Sequence, residues 1–362
     1  MVENLVNVFS EKIFTHLQIQ NKTENIIFAG ASFYVMMTLL KIWLSGKTKK
    51  QLSRFLSDDE SPEPKPRALF IYSQWREYEK LFSIDGSNSV LFHSGIFTEK
   101  YKKASANHLD SEKINFINEP DAIQSMNEWV SRHTNGNIQN VFSQSDPDTT
   151  MVLLNIFMVN PTWVQSFDAK NTKMEDFYVG GRTLKVEMMN QINVYPMIDM
   201  NYSRFIFIPI NKNKQYAVIV LPNPGKSLDD VFQHFKLREL PVYYEQSKME
   251  YVDLKLPKFI LLGSENLKST FKHFNVTYLF ESINNDFGEF AEPGHFFKTI
   301  HQTARVVIDE SGGTGSHNTD AISQMNVNIT EFYVNQPFLF MIFEQYKRIV
   351  LLVSAVRNPN VG

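Results

Sequence analysis

The chain has 362 residues, of which 43% are hydrophobic and 21% charged, enough apolar material to bury a sizeable core; length alone suggests about two domains. A formal net charge of −3 removes any bulk electrostatic reason to expect nucleic acid as a partner. Cysteine is absent, which excludes disulfides, thiolate metal sites and a cysteine nucleophile.

Taken in chain order, residues 3–20 place Leu5, Phe9, Ile13 and Leu17 at four-residue steps and carry Glu3 where a secretory leader would be basic. That pattern predicts an amphipathic helix and not a cleavable signal peptide. Residues 26–46, IIFAGASFYVMMTLLKIWLSG, have a membrane-like composition, but Lys41 interrupts them short of the roughly 20 apolar residues that a span needs. A buried core helix over 31–45 is expected, followed by helices over 47–56, 69–83 and 121–133. Between the third and fourth of the five helices, SDDESPEPKPRA (57–68) packs acids and three prolines into a stretch that suits an exposed loop and neither a helix nor a central strand. From about residue 150 the texture becomes β-branched and aromatic, and 149–159, 203–210, 216–222, 249–261, 304–310, 338–343 and 348–356 read as strands. Helices first and strands later predict an α+β protein, and apolar patterning that resumes unchanged after the proline-rich loop argues for a single domain over 1–362.

Residues 311–330, SGGTGSHNTDAISQMNVNIT, stand apart because they contain no Lys, Arg or aromatic residue and lie between two strand-like runs. The glycines of GGTGS (312–316) resemble a phosphate loop, but the lysine and the following helix that a nucleotide cradle needs are both missing. The nine histidines show no spacing that would seat a metal on one helix face; His295 and His301 could share a strand face, where packing is the simpler reading. Ser316 beside His317 is no catalytic pair without a third, orienting group, and no G-x-S-x-G elbow occurs, so the chain carries no enzyme signature. Basic clusters at Lys47, Lys49, Lys50 and Arg54, and at Lys100, Lys102 and Lys103, read as solvated faces. Glycosylation sequons begin at Asn21, Asn201, Asn275 and Asn328, a number that a chain this rich in Asn, Ser and Thr would reach by chance.

Six segments in one order carry a family resemblance. NIIFAGAS (25–32), LLNIFMVNPTWVQSFD (153–168), VEMMNQ (186–191), LKLPKFIL (254–261), VIDESGG (307–313) and FYVNQPFLFMI (332–342), closed by VLLVSAVRNP (350–359), together resemble the serpins. The resemblance implies the serpin fold, with about nine helices, three β-sheets and an exposed reactive loop at about 311–331. It also implies a protease inhibitor, not an enzyme. The expected partner is a serine protease held as a covalent acyl complex after the cleaved loop inserts into the central sheet, a strand addition that also releases stored strain.

Carried over residue by residue, the resemblance puts the reactive bond at Asn326-Val327, or one residue back at Met325-Asn326. The hinge falls on Glu310, Ser311, Gly312, Gly313, Thr314, Gly315, Ser316 and His317. It assigns a breach at the top of the sheet to Trp163, Lys258 and Glu310, and a central shutter to Ser32 and Asn155. Strict counting places Gln302 at the shutter position the family gives to histidine, and a one-residue bulge would substitute His301. Ala29 and Gly30 replace the family's Ser-Pro, and Gly313 its Thr. The strand period points Gly313, Gly315, His317, Thr319, Ala321 and Ser323 inward on insertion. Asn328 is expected to be unglycosylated in an active molecule. No cofactor, nucleic acid or membrane span is expected; the chain reads as a monomer, extracellular or at the cell surface by family habit, with the cytoplasm as the alternative. Two other readings stand beside the inhibitor: a non-inhibitory serpin-fold binding or chaperone-like protein, and a hydrolase using Ser316 or another exposed hydroxyl.

Overall fold

A computed structural model describes residues 2–56, 86–95, 109–210, 214–282, 287, 295–312 and 328–362. Among these, the first helix, α1 (Val2–Gln20), buries Phe9, Ile13 and Leu17 as its period requires, while Leu5 packs partly buried beside them. After a short strand, β1 (Ile26–Phe28), the membrane-like run forms α2 (Gly30–Trp43), in which every residue from 30 to 41 is buried. Apolar on all sides, such a helix is stable only at the centre of a core. No described helix is long and apolar enough to cross a membrane. Next come α3 (Gly46–Phe55) and α4 (Glu119–His133); the expected helix over 69–83 and loop over 57–68 lie outside the described residues.

The strands form two hydrogen-bonded networks. The first is five-stranded, in the order β10 (Phe259–Asn266), β11 (Phe297–Ile308), β4 (Met151–Val159), β2 (Gly86–His93) and β3 (Asp110–Lys113). The second is nine-stranded and contains β5 (Lys173–Val179), β6 (Arg182–Asp199), β7 (Ser203–Ile210), β8 (Gln215–Pro222), β9 (Lys248–Pro257), β12 (Thr330–Tyr333), β13 (Phe338–Glu344), β14 (Ile349–Val356) and β1. The second and third expected sheets are continuous within it, because the 18-residue β6 runs unbroken from its pairing with β5 and β9 to its pairing with β7. Three short helices, α5 (Leu228–His234), α6 (Leu240–Gln246) and α7 (Lys268–His273), bring the described α-helices to seven.

Several sequence expectations shift at their edges. The run 249–261 is two strands, since Pro257 has no N–H to continue the ladder and the Lys258 N–H turns to Glu187 O at 2.8 Å. Residues 330 and 331, assigned to the loop, belong to β12, paired in parallel with Val252 and Asp253. His295 precedes β11 and so shares no strand face with His301.

The five-stranded sheet is packed on both faces. Outside it, Ala122, Met126, Trp129 and Val130 of α4 lie over Val90, Phe92, Leu154 and Ile156. On the inner face, α2 packs in the main core with Leu153, Phe157, Ile300 and Val306. α2 is held at its start by a close approach to α1: a Cβ on Gly30 would fall 1.9 Å from Ser10 Oγ and 3.1 Å from Ser10 Cα. Replacing a helical glycine by alanine ordinarily gains about 0.5–1 kcal/mol. At Gly30 the overlap reverses the sign, since overpacking costs about 1–3 kcal/mol. Gly30→Ala is therefore expected to lower the denaturant midpoint; a raised midpoint would show that α1 yields freely.

Candidate functional site

The two central strands of the five-stranded sheet, β11 and β4, run in the same direction. His301 lies opposite Leu154 and Gln302 opposite Asn155, and the pairing continues to Val306 opposite Val159. Their outer neighbours, β10 and β2, are antiparallel to them. Parallel pairs are slightly less stable per residue than antiparallel ones, and a strand running the other way between β11 and β4 would turn one parallel ladder into two antiparallel ones. The chain leaves the top of β11 at 309–312, immediately beside this seam.

Halfway down the seam, on the face over α2, four side chains close a buried polar network. Asn155 Nδ2 donates to Ser32 Oγ at 2.8 Å and to Ser89 Oγ at 3.0 Å. Gln302 Nε2 donates to Asn155 Oδ1 at 2.8 Å and to Ala29 O at 2.9 Å, while its Oε1 accepts the Ala29 N–H at 2.9 Å. Asn155 is fully buried and Gln302 is 2% exposed, so each unmade bond would leave a dry polar group. Gln302 thus occupies the buried position beside Asn155 at which strict counting expects the shutter. An imidazole has only two ring nitrogens, so a histidine here could not replace all three bonds.

His301 is the correction. A bulge does occur in β11, between Phe297 and Thr299, but it lies upstream of both residues and leaves Gln302 in register with Asn155. Strand alternation sends His301 to the opposite face, where its ring meets Phe142 edge-on at 5.2 Å in a cavity that Asp146 and Lys298 also line. Burial pushes its pKa down to about 4. Ser89 was not anticipated from any motif; it reaches the network because it lies opposite Asn155 on β2.

At the top of the seam the three breach residues come together. Trp163, 1% exposed, donates from Nε1 to Asp309 O at 2.6 Å and from its backbone N–H to Ser311 O at 3.1 Å. It also bridges in parallel to Gly312 and packs edge-on against Phe167 at 5.4 Å. Glu310 accepts from Thr172 Oγ1 at 2.7 Å and pairs with Lys258 Nζ at 3.2 Å; Lys258 also reaches Glu187 at 3.5 Å. Burial would raise the Glu310 carboxyl, but the hydrogen bonds from Thr172 and Lys258, and the lysine's charge, hold it below the usual carboxylate range. Burial would lower the Lys258 ammonium, and Glu310 and Glu187 outweigh it, so its pKa is raised. Gly312 is needed for closure: a Cβ there would lie 2.7 Å from Trp163 O and 2.8 Å from Ser166 Cα. Of the hinge, Glu310, Ser311 and Gly312 are described; Gly313, Thr314, Gly315, Ser316 and His317, like Met325, Asn326 and Val327, lie outside the described residues.

Truncating Gln302→Leu strands the Ala29 N–H and carbonyl and Asn155 Oδ1, and is expected to cost about 2–4 kcal/mol in equilibrium unfolding; a loss under 1 kcal/mol would remove the network from the account. Acid acts at two places. Unfolded His301 takes a proton near pH 6.5, whereas the folded residue refuses it down to about pH 4. Stability therefore falls as pH drops through that window, and His301→Leu should flatten the slope. Glu310, whose folded pKa is depressed, contributes stability at neutral pH that is lost only below the ordinary carboxylate range; Glu310→Gln should remove that later loss when unfolding is followed against pH.

Comparison with known proteins gives this geometry a family. The family model for Serpin (serine protease inhibitor) matches residues 4–359. Serpin B11 of Mus musculus is 26% identical over 369 residues, covering 93% of this chain and 94% of that protein. Alpha-1-antiproteinase of Bos taurus is 26% identical over 371 residues, covering 98% and 87%. The crystal structure of mouse protein Z-dependent protease inhibitor superimposes with a TM-score of 0.88 at 20% identity, covering 99% of this chain and 97% of that one. With the family model spanning almost the whole chain, the protein belongs to the serpin family.

Proposed function

We propose that this chain is an inhibitory serpin, one domain that traps a serine protease as a suicide substrate. The observation that carries the reading is the parallel β11–β4 seam, closed by side chains and leading at its top into the segment that would fill it. A protease serine attacks the carbonyl of Asn326, or of Met325. The peptide bond on its C-terminal side breaks, the new amine leaves on the following residue, and the carbonyl stays esterified to the protease. Freed at one end, the loop enters the seam antiparallel to both neighbours and carries the acyl-enzyme with it.

The target class follows from the loop's composition. No Lys or Arg lies between Arg305 and Lys347, so a trypsin-like pocket with its buried aspartate finds no cation. Met325 suits a chymotrypsin- or elastase-like pocket, and Asn326 an asparagine-preferring one. The protein acts as a monomer, outside the cell or at its surface, with the cytoplasm as the alternative; its relatives include Serpin B11 as well as alpha-1-antitrypsins.

A second reading, a non-inhibitory binding or chaperone-like serpin, is favoured by the hinge sequence. Glycines at 312, 313 and 315 raise the entropy lost when a strand forms, and His317 would face inward at a cost of about 1–3 kcal/mol if unpaired.

Incubation with chymotrypsin-like, elastase-like and asparagine-directed proteases separates the two. An inhibitor gives an SDS-resistant complex, and its cleaved form melts well above the intact one. Cleavage with neither outcome sinks the inhibitor reading in favour of the second. Gly313→Arg, which puts a charge on the inward face, should convert an inhibitor into a substrate; undiminished trapping would overturn the insertion register.

A further inference from the structure

Away from the seam, the turn joining β6 to β7 overlies a cavity of about 310 Å³ walled by Asn201, Tyr202, Phe205, His234, Phe235 and Tyr243. Its walls are prebuilt. Phe205, Phe235 and Tyr243 pack as a triangle with ring centres 5.1, 5.7 and 6.0 Å apart. Tyr202 lies flat on His234, ring centres 3.5 Å apart and planes 11° off parallel, with the Lys226 ammonium 5.3 Å from its ring centre. The turn is fixed from behind: Met200 N–H donates to Ser203 O at 2.9 Å, Asn223 Nδ2 to Met200 O at 2.7 Å, and Asn223 N–H to Tyr202 O at 3.0 Å.

Asn201 differs from the asparagines that hold this fold together. Asn25, Asn155 and Asn223 each donate from Nδ2 to backbone or side-chain partners. The Asn201 side chain is exposed at the cavity mouth and has no hydrogen-bond partner among the described residues. It opens the sequon Asn201-Tyr202-Ser203. Ser203 is buried after folding, so its hydroxyl is available to a modifying enzyme only before the turn closes.

We propose that Asn201 carries an N-linked glycan whose innermost N-acetylglucosamine packs into this cavity. In the transfer, a bond forms between Asn201 Nδ2 and C1 of the sugar while the bond from C1 to a lipid-linked diphosphate breaks. The diphosphate leaves with the electron pair, and the amide loses one proton to the transferase base. The apolar face of the pyranose covers the partly exposed rings of Tyr202, His234 and Phe235, and its hydroxyls meet water at the rim. Asn21 and Asn275 also begin sequons but do not line this cavity, and a glycan on Asn328 would crowd the expected reactive bond.

The test is expression of the unaltered coding sequence in cultured animal cells, with mass analysis of the Asn201 peptide before and after enzymatic release of N-linked glycans. Conversion of Asn201 to Asp on release is the expected result; an unmodified Asn201, in the medium or in the cell, overturns the proposal. The seat is tested by Asn201→Gln. In protein from animal cells it should lower Tm by about 2 °C, and in protein made in bacteria it should leave Tm unchanged. Loss of the sugar with no shift in Tm overturns the seat, and an equal fall in both preparations shows that the asparagine and not its sugar supports the turn.

Discussion

Hydrogen bonding between β11 and β4 is the constraint on which the rest of the molecule turns. Every buried main-chain N–H and C=O must find a partner, and here the two central strands find each other although they run parallel in a sheet whose adjacent pairings are antiparallel. The seam is satisfied but not optimally so. A strand of opposite direction would give both edges better ladders, and under the proposed function the residues that follow β11 would supply it. On that reading the described arrangement is one that local closure favours, and a more fully paired one would follow insertion.

Two kinds of contact keep it there. The shutter network is dry and made of neutral groups, so its strength comes from the cost of stranding buried donors and acceptors and is insensitive to salt. At the breach, Lys258, Glu310 and Glu187 are partly exposed, and the ion pairs there contribute little by themselves. Their role is positional. Glu310 is tied to Thr172 and Lys258 so that the residues after β11 leave the sheet beside Trp163, and Gly312 lets the backbone approach within van der Waals contact. Opening would begin where side chains meet water and meet resistance where they do not.

Much of this was legible in the sequence, for identifiable reasons. The long amphipathic α1 declared itself by periodicity and the mostly apolar α2 by composition, and the β-branched runs marked β4, β7, β8, β13 and β14. The short helices did not, because six or seven residues give too few turns for a period to emerge. A better signal was present for α5: Ser227 and Asp230 form a capping box that their spacing announces. The breach triad and Asn155 came from motif resemblance. Ser89 could not, since its place opposite Asn155 depends on a pairing between strands far apart in sequence. Strict counting puts Gln302 beside Asn155, and the strand register agrees, because the bulge falls before both His301 and Gln302.

The absence of cysteine gives a clean test of the seam. Spin labels at Leu262→Cys on β10 and Glu112→Cys on β3, both exposed and on opposite edges of the five-stranded sheet, report its width by dipolar spectroscopy. If the cleaved loop enters between β11 and β4, the distance between them should grow by about one strand spacing, 4.8 Å, on proteolysis of the loop. An unchanged distance in fully cleaved protein would contradict the account.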